Sequence, residues 1–384
     1  MINKMKKILL ITLLPVLLSG CWDYEDINNR NIALSIGVDE EDGRIAFNGE
    51  IAKLISESDT GGTTASVTDV YHYTAEGKDF EEARDDFDYK TPFLDFFGAI
   101  RSVVFSREYA EKKGIEAYIN RLSFIPGFRS SVLIAISEEN TGELFGGKVV
   151  NDISVGYAIE DTLLPLEKDG AAIYTTAQDI RYNISFKEIG YVVPYITREE
   201  DTIRYLGLAV MKSSKLIGII DAADSRGFLY IAGKNAVSTR IIPNPQNETN
   251  LLSIKTTLKK RKINTYYKDG KIYINIKLNI KCQLQYEYVK EPISQETIKE
   301  LENTIANMVK EEVISSIKRS QKEFECDIFG FARYFKADNP QIFKSINWVE
   351  KYPDARFNIE VKSKIINYNL IDVNFKDNYK GGTE

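Results

Sequence analysis

The run IYINIKLNIKCQLQY, residues 272–286, places an apolar residue at every even position and mostly polar residues between them. A period of two held over this length makes a β-strand with one buried face. Asp269-Gly270 stands ahead of it as a hairpin-turn pair. Ile254, Thr256 and Leu258 carry the same alternation on the other side of that turn. Pro292 then stops the sheet, and Ser294 supplies an N-cap. From Ile298, apolar residues recur at Leu301, Ile305, Met308, Val309, Ile314 and Ile317, the stripe of a long amphipathic helix. Phe357, Ile359 and Val361 alternate with Arg356, Asn358, Glu360 and Lys362 as a last strand fit for a sheet edge. Together these predict an α+β domain over 202–379, an antiparallel sheet packed against a long helix. Cys282 falls on the apolar face and reads as a small buried hydrophobe. A disulfide between Cys282 and Cys326 stays open at this point.

Upstream, residues 206–211 and 216–220 read as a hairpin closed by Lys212-Ser213-Ser214-Lys215, and 229–233 and 237–242 as short strands. Arg198-Glu199-Glu200-Asp201 is a charged break and the expected boundary. Before it, 32–197 reads as a mixed α/β region with room for two subdomains. Residues 32–38 and 44–54 form a hairpin about Glu40-Glu41-Asp42-Gly43. A polar loop follows at 56–66, and 67–74 is β-prone. Helices are expected at 78–88 and 107–122, and strands at 99–105 and 131–136. Short helical pieces fill most of 142–195.

At the N-terminus Lys4, Lys6 and Lys7 precede an aliphatic run at 8–18, the basic and apolar regions of a secretory signal. That run is too short to span a bilayer, which takes about 20 apolar residues. Leu18-Ser19-Gly20-Cys21 follows and resembles a bacterial lipobox. The resemblance implies that 1–20 is cleaved off and that Cys21 carries diacylglycerol and an N-acyl chain. Residues 21–31 would then be a polar tether. The rest of the chain would be water-soluble and held by its lipid outside the cytoplasmic membrane.

Hydrophobic content of 43% and charge of 28% are those of a globular protein. The net charge is −6, and loss of Lys4, Lys6 and Lys7 makes the mature part more acidic still. Such a chain is a poor match for nucleic acid, which rewards basic surfaces. The single histidine, His72, has no second histidine with which to build a triad or a multi-His metal site. Asp152-Ile153-Ser154-Val155-Gly156 lacks the first glycine of a nucleophile elbow. Asp39-Glu40-Glu41-Asp42-Gly43 lacks the spacing of a calcium loop. No catalytic residue, cofactor or metal is therefore expected. The acids at 81–88 read as a solvated helix face. Lys259-Lys260-Arg261-Lys262 could touch anionic lipid, and a solubilising strand end is the plainer reading.

The sequence resembles the Ger(x)C family, the lipoprotein C subunits of nutrient germinant receptors in endospore-forming bacteria. Three stretches carry the likeness. The first is Gly20-Cys21-Trp22-Asp23-Tyr24-Glu25, followed by Ile36-Gly37-Val38-Asp39. The second is Gly207-Leu208-Ala209-Val210-Met211, with Gly218 and Asp221. The third is Asp327-Ile328-Phe329-Gly330-Phe331 after a long helix, then Trp348 and Tyr352-Pro353. The chain departs from the pattern at Ala99 and Ala332. The resemblance implies an elongated multi-domain mixed α/β ectodomain without catalysis. It implies a complex with two integral-membrane subunits at the inner membrane of the spore, and leaves direct small-molecule binding open. A solute-binding lipoprotein of a transporter is the alternative, and a surface hydrolase a weaker one. Within 327–352, Tyr334 and Phe335 between Arg333 and Lys336 are the candidate partner interface. The competing reading packs these aromatics between helix and sheet.

Overall fold

The computed structural model describes residues 30–56, 65–150, 152–289 and 293–367. Cys21, the tether up to residue 29 and residues 57–64 of the expected loop lie outside them.

The chain opens as an antiparallel meander of β1 (Arg30–Glu41), β2 (Arg44–Ser56) and β3 (Ala65–Gly77). Asp42 and Gly43 close its first hairpin at φ 49 and 76, the positive values a two-residue turn of this kind needs. Helix α1 (Phe80–Lys90) starts on Asp79, whose carboxylate accepts the N–H groups of Glu81 and Glu82 at 2.9 Å. The short β4 (Leu94–Phe96) then runs parallel to β1.

Beside β1 the strands β5 (Ser102–Ser106), β6 (Leu133–Ser137) and β7 (Gly190–Glu199) line up in parallel. They are linked through α2 (Arg107–Lys112), α3 (Glu116–Leu122), α4 (Thr141–Phe145), α5 (Val155–Lys168) and α6 (Ala177–Ser185). Every residue of β5 and β6 is buried, as parallel strands covered on both faces require. Val103, Phe105, Ile134 and Ile136 join one core with Tyr109 and Ile119. Val104, Leu133 and Ala135 join another with Leu144 and Ile159. The single helix expected at 107–122 is two, α2 and α3. Gly114 breaks it at φ 81, and the Ile115 N–H bonds to the Ser214 carbonyl at 2.9 Å instead of continuing the helix.

The charged break at 198–201 is the tip of a hairpin. β8 (Thr202–Lys212) pairs with β7 from Gly190–Lys212 to Glu199–Thr202, and β9 (Lys215–Asp221) adds to β8. These strands complete the nine-stranded sheet of order β3-β2-β1-β5-β6-β7-β8-β9, with β4 beside β1. β8 is buried on both faces. Ala209 and Met211 enter the N-terminal core, while Leu208 and Val210 enter the C-terminal one. The two parts of the chain thus share a wall.

The second sheet is β10 (Val237–Asn244), β11 (Asn247–Lys268), β12 (Lys271–Glu287) and β13 (Arg356–Asn367), in that order. The even positions of β12 from Ile272 to Leu284 are buried as the alternation predicts. Asp269 and Gly270 make its turn at φ 50 and 75. Ser294 caps α8 (Gln295–Lys318), its hydroxyl accepting the Thr297 N–H at 3.1 Å. Leu301, Ile305, Val309 and Ile317 of α8 lie on the sheet, while Met308 is exposed. The sheet is antiparallel over β10–β12 and parallel at β13. The chain returns to β12 through α8 and the helices after it, and a crossover of that kind delivers a parallel strand.

Residues 229–233 depart from expectation: most of them belong to α7 (Arg226–Ala232). Phe228, Leu229, Tyr230 and Ile231 are all buried, so the run has no polar face to reveal its period. Gly227 sets α7 hard against α8, where an added Cβ would stand 2.1 Å from the Glu312 carbonyl. Beside it the buried Arg240 makes two 2.7 Å bonds to the Glu312 carboxylate, tying β10 to α8.

Candidate functional site at the junction of the two sheets

The segment after α8 is held by polar groups withdrawn from water. A π-helical turn, Arg319–Glu323, ends the helix. In it the Ser320 hydroxyl donates to the Cys326 carbonyl at 2.6 Å and meets the Tyr352 hydroxyl at 2.6 Å. The Gln321 amide donates to the carbonyls of Tyr352 and Ala355 at 3.0 and 2.9 Å. Asp327 follows, buried, its carboxylate accepting the N–H groups of Phe331 at 3.0 Å and Ala332 at 2.8 Å. These start α9 (Phe331–Asp338), and Gly330 at φ 72 supplies the left-handed residue the turn needs. Burial pushes the Asp327 carboxyl up to about 6, against backbone N–H bonds that pull it down.

The loop is stitched to the N-terminal sheet. The Asp327 carbonyl accepts the Gly190 N–H of β7 at 3.0 Å. A side chain at Gly190 would have its Cβ 2.5 Å from the Cys326 sulfur. Arg333 of α9 donates to Asn183 of α6 at 2.8 Å and lies 4.4 Å over the Tyr182 ring. Between these elements opens a cleft of about 280 Å³, lined by Thr175, Asn183, Val192, Phe329, Gly330 and Arg333, with Lys234 and Glu167 also at its walls.

The charges in the cleft are engaged. Lys234 pairs with Glu167 at 3.1 Å, and Asp179 accepts the Thr176 N–H and hydroxyl at 2.9 and 2.7 Å. His72 is exposed on β3, and partial desolvation holds its imidazole below the ordinary histidine value. Cys282 and Cys326 are free and buried. Burial pushes the two thiols up to about 11 and about 12, away from the thiolate that nucleophilic chemistry requires. Among the described residues no group of three or more His, Cys, Asp or Glu is placed to hold a metal.

Of the residues nominated from sequence, Cys21 lies outside the described part. Tyr334 is exposed. Phe335 is not, and the surface role expected for it is corrected here. It is fully buried, 5.3 Å from the Trp348 ring and 6.3 Å from Tyr267. Adjacent residues of a helix face about 100° apart, so a mixed run such as Arg333 to Lys336 can carry one core residue and one surface residue. Trp348 lies in α11 (Trp348–Lys351), beyond α10 (Pro340–Ser345), and it and Phe331 are core as well.

Two further carboxylates are buried, Asp39 from the family stretch and Glu50, which was not singled out from sequence. Asp39 accepts the Ser106 hydroxyl at 2.6 Å and the Thr141 N–H at 2.9 Å, fixing the start of α4. Gly37 leaves the room for this, since an added Cβ would stand 2.5 Å from the Thr141 Cβ. Glu50 of β2 accepts the N–H groups of Val155 and Gly156 at 2.7 and 2.8 Å and the Ser35 hydroxyl at 2.9 Å. It anchors the positive end of α5, and burial pushes its carboxyl up to about 7. The signal for it is an acid in an otherwise apolar stretch, Glu50-Ile51-Ala52.

Two family descriptions match the chain in succession. "Spore germination protein N-terminal domain" covers residues 23–198, and "Spore germination B3/ GerAC like, C-terminal" covers 206–369. The chain belongs to this germination family. Spore germination protein B3 of Bacillus subtilis is 18% identical over 92% of this chain and 95% of its own length. Spore germination protein A3 of the same organism is 23% identical over 73% of this chain and 74% of its own. Spore germination protein KC is 19% identical over 98% of this chain and 100% of its own. In structure the chain is similar to the GerBC protein, with a TM-score of 0.55 at 17% identity, covering 86% of this chain and 97% of that one. The mixed α+β fold is therefore the fold of GerBC. Within this family framework, several of the described residues that carried the resemblance are packing and capping residues in this chain. Gly37, Asp39, Asp327 and Gly330 hold helix starts, and Gly207 at φ 146 lies on β8, where an added Cβ would stand 2.1 Å from the Ile220 carbonyl. Of the two departures, Ala332 turns its methyl into the core, and the Ala99 carbonyl accepts the Tyr157 hydroxyl at 3.3 Å.

Proposed function

We propose that this chain is a lipid-anchored, non-enzymatic subunit of a membrane germinant receptor, required for nutrient-triggered spore germination. The observation that carries the reading is the end-to-end family match, which begins at residue 23, two positions after the lipobox cysteine. Curated relatives named for germination align over nearly their whole length. Among the described residues no helix is long and apolar enough to cross a membrane, so a lipid on Cys21 is the attachment we assign. The partners are two integral-membrane subunits, and the site is the outer face of the cytoplasmic membrane, the inner membrane of the spore. Tyr334 is the exposed aromatic we assign to partner contact; Phe335 supports it from within the core.

A solute-binding lipoprotein would have two doubly wound lobes with a cleft at their hinge. Here β7–β9 serve both cores, which gives such a hinge no place to open. The test is germination of spores lacking the chain. Nutrient-triggered germination is expected to slow or stop, with spore formation and nutrient-independent germination unchanged. Normal nutrient germination, with a transport defect in its place, would favour the solute-binding reading.

A further inference from the structure

The outer face of the second sheet is basic on a chain whose net charge is −6. Among the described residues, the helices that pack on this sheet lie on its other face, against Ile276, Leu278, Ile280 and Cys282. The outward positions form three successive rungs across β11, β12 and β13. They read Lys262–Lys277–Glu360, Lys260–Asn279–Lys362 and Thr257–Lys281–Lys364. Six lysines thus share one face with one acid. Glu360 pairs with Lys277 at 2.7 Å and with Lys362 at 3.1 Å, and the other four lysines have no acid within the rungs.

The fold does not ask for this arrangement. Like charges opposite one another across strands destabilise a sheet, and Lys262 faces Lys277 directly. Lysines are common guards of an exposed edge strand, and Lys362 and Lys364 are on the edge strand β13. β10 pairs with β11 only as far as Thr257, so Lys260 and Lys262 also lie along an open edge, while Lys277 and Lys281 sit on β12 between two paired strands. The cations are lysines, compact hydrated charges on flexible stems, rather than the planar forks that recognise one phosphate or carboxylate. A field of such charges spread over three strands suits an extended anionic surface.

We infer that this face docks on the anionic phospholipid surface of the membrane to which the chain is tethered. The inference deepens the anchored-subunit reading and rests on it for the membrane's nearness. The acidic remainder of the ectodomain is repelled by that surface, so the basic face would set the orientation of the tethered body.

The test uses the chain from residue 22 onward, made without its signal so that no acyl chain contributes. Every described element begins at Arg30 or later, so this form keeps both sheets. Vesicles of phosphatidylcholine alone are compared with vesicles of equal parts phosphatidylcholine and phosphatidylglycerol, at low and high salt. The anionic vesicles are expected to bind at least about tenfold more protein, and high salt should abolish the difference. Each of Lys260→Gln, Lys262→Gln and Lys362→Gln should weaken binding by about fivefold without lowering the melting temperature. Asn279→Glu sets an acid between Lys260 and Lys362 while leaving every lysine in place, and should weaken binding too. Equal binding to both vesicle types, or wild-type binding by these variants, would overturn the inference. Variants that keep vesicle binding but lose a co-purifying protein would assign the face to an acidic protein and overturn it as well. Fatty-acid labelling at Cys21 is read separately, so failure of the anchor and failure of the face are distinguishable.

Discussion

Replacing Asp327 by Ala is expected to lower the stability of the folded chain by roughly 3–5 kcal/mol. Its carboxylate accepts the buried N–H groups of Phe331 and Ala332, which the substitution would strand. Each stranded donor costs about 1–3 kcal/mol, and loss of a helix cap about 0.5–2. The carboxyl raised to about 6 shows that burial taxes the charged form, which offsets part of the loss. The damage should spread, because the carbonyl of the same residue holds Gly190 on β7. Thermal melting should fall by about 5 °C, and hydrogen exchange should quicken in α6 and β7 as well as α9. A variant as stable as wild type would show that the loop does not clamp the two sheets together. Asp327→Asn keeps one acceptor oxygen and should fall between the two.

Replacing Cys21 by Ala is expected to remove fatty-acid incorporation completely and to leave a precursor with its signal uncleaved. Processing at a lipobox acts on the modified thiol, and no other group at that position can carry the thioether. Two acyl chains, each contributing about 0.8 kcal/mol per buried methylene, anchor far more firmly than one. Wild-type protein should label and the variant should not. Equal labelling of both would end the lipoprotein reading. Some germination activity is expected to survive in the variant, because an uncleaved apolar run at 8–18 still holds the chain near the membrane.

The parts legible in sequence were those with one face in water. β12 and α8 announce themselves because alternating and helical periods separate their core positions from their solvent positions. Elements buried on every side gave no such contrast. α7 read as a strand because Phe228 to Ile231 are all apolar, and the charged break at 198–201 gave no sign of the hairpin that β7 and β8 make across it. The direction of β13 depends on the route of the preceding chain, which no local pattern encodes. The junction was visible as a family signature but not as a mechanism. That Asp327 points at two backbone N–H groups, and that Phe335 faces inward beside an exposed Tyr334, are facts of tertiary geometry. The basic face was half legible. Lys260 and Lys262 were seen as a run, but their union with Lys277, Lys281, Lys362 and Lys364 needs the strand register.

The decisive measurement is quantitative mass spectrometry of the proteins that co-purify with the chain from detergent-solubilised spore membranes. We expect two integral-membrane proteins in near-equal amounts with the acylated chain, and their reduced recovery with a stably folded Tyr334→Ser variant. Recovery of a permease with an ATPase, or of the acylated chain with no membrane protein at all, would contradict the receptor-subunit account.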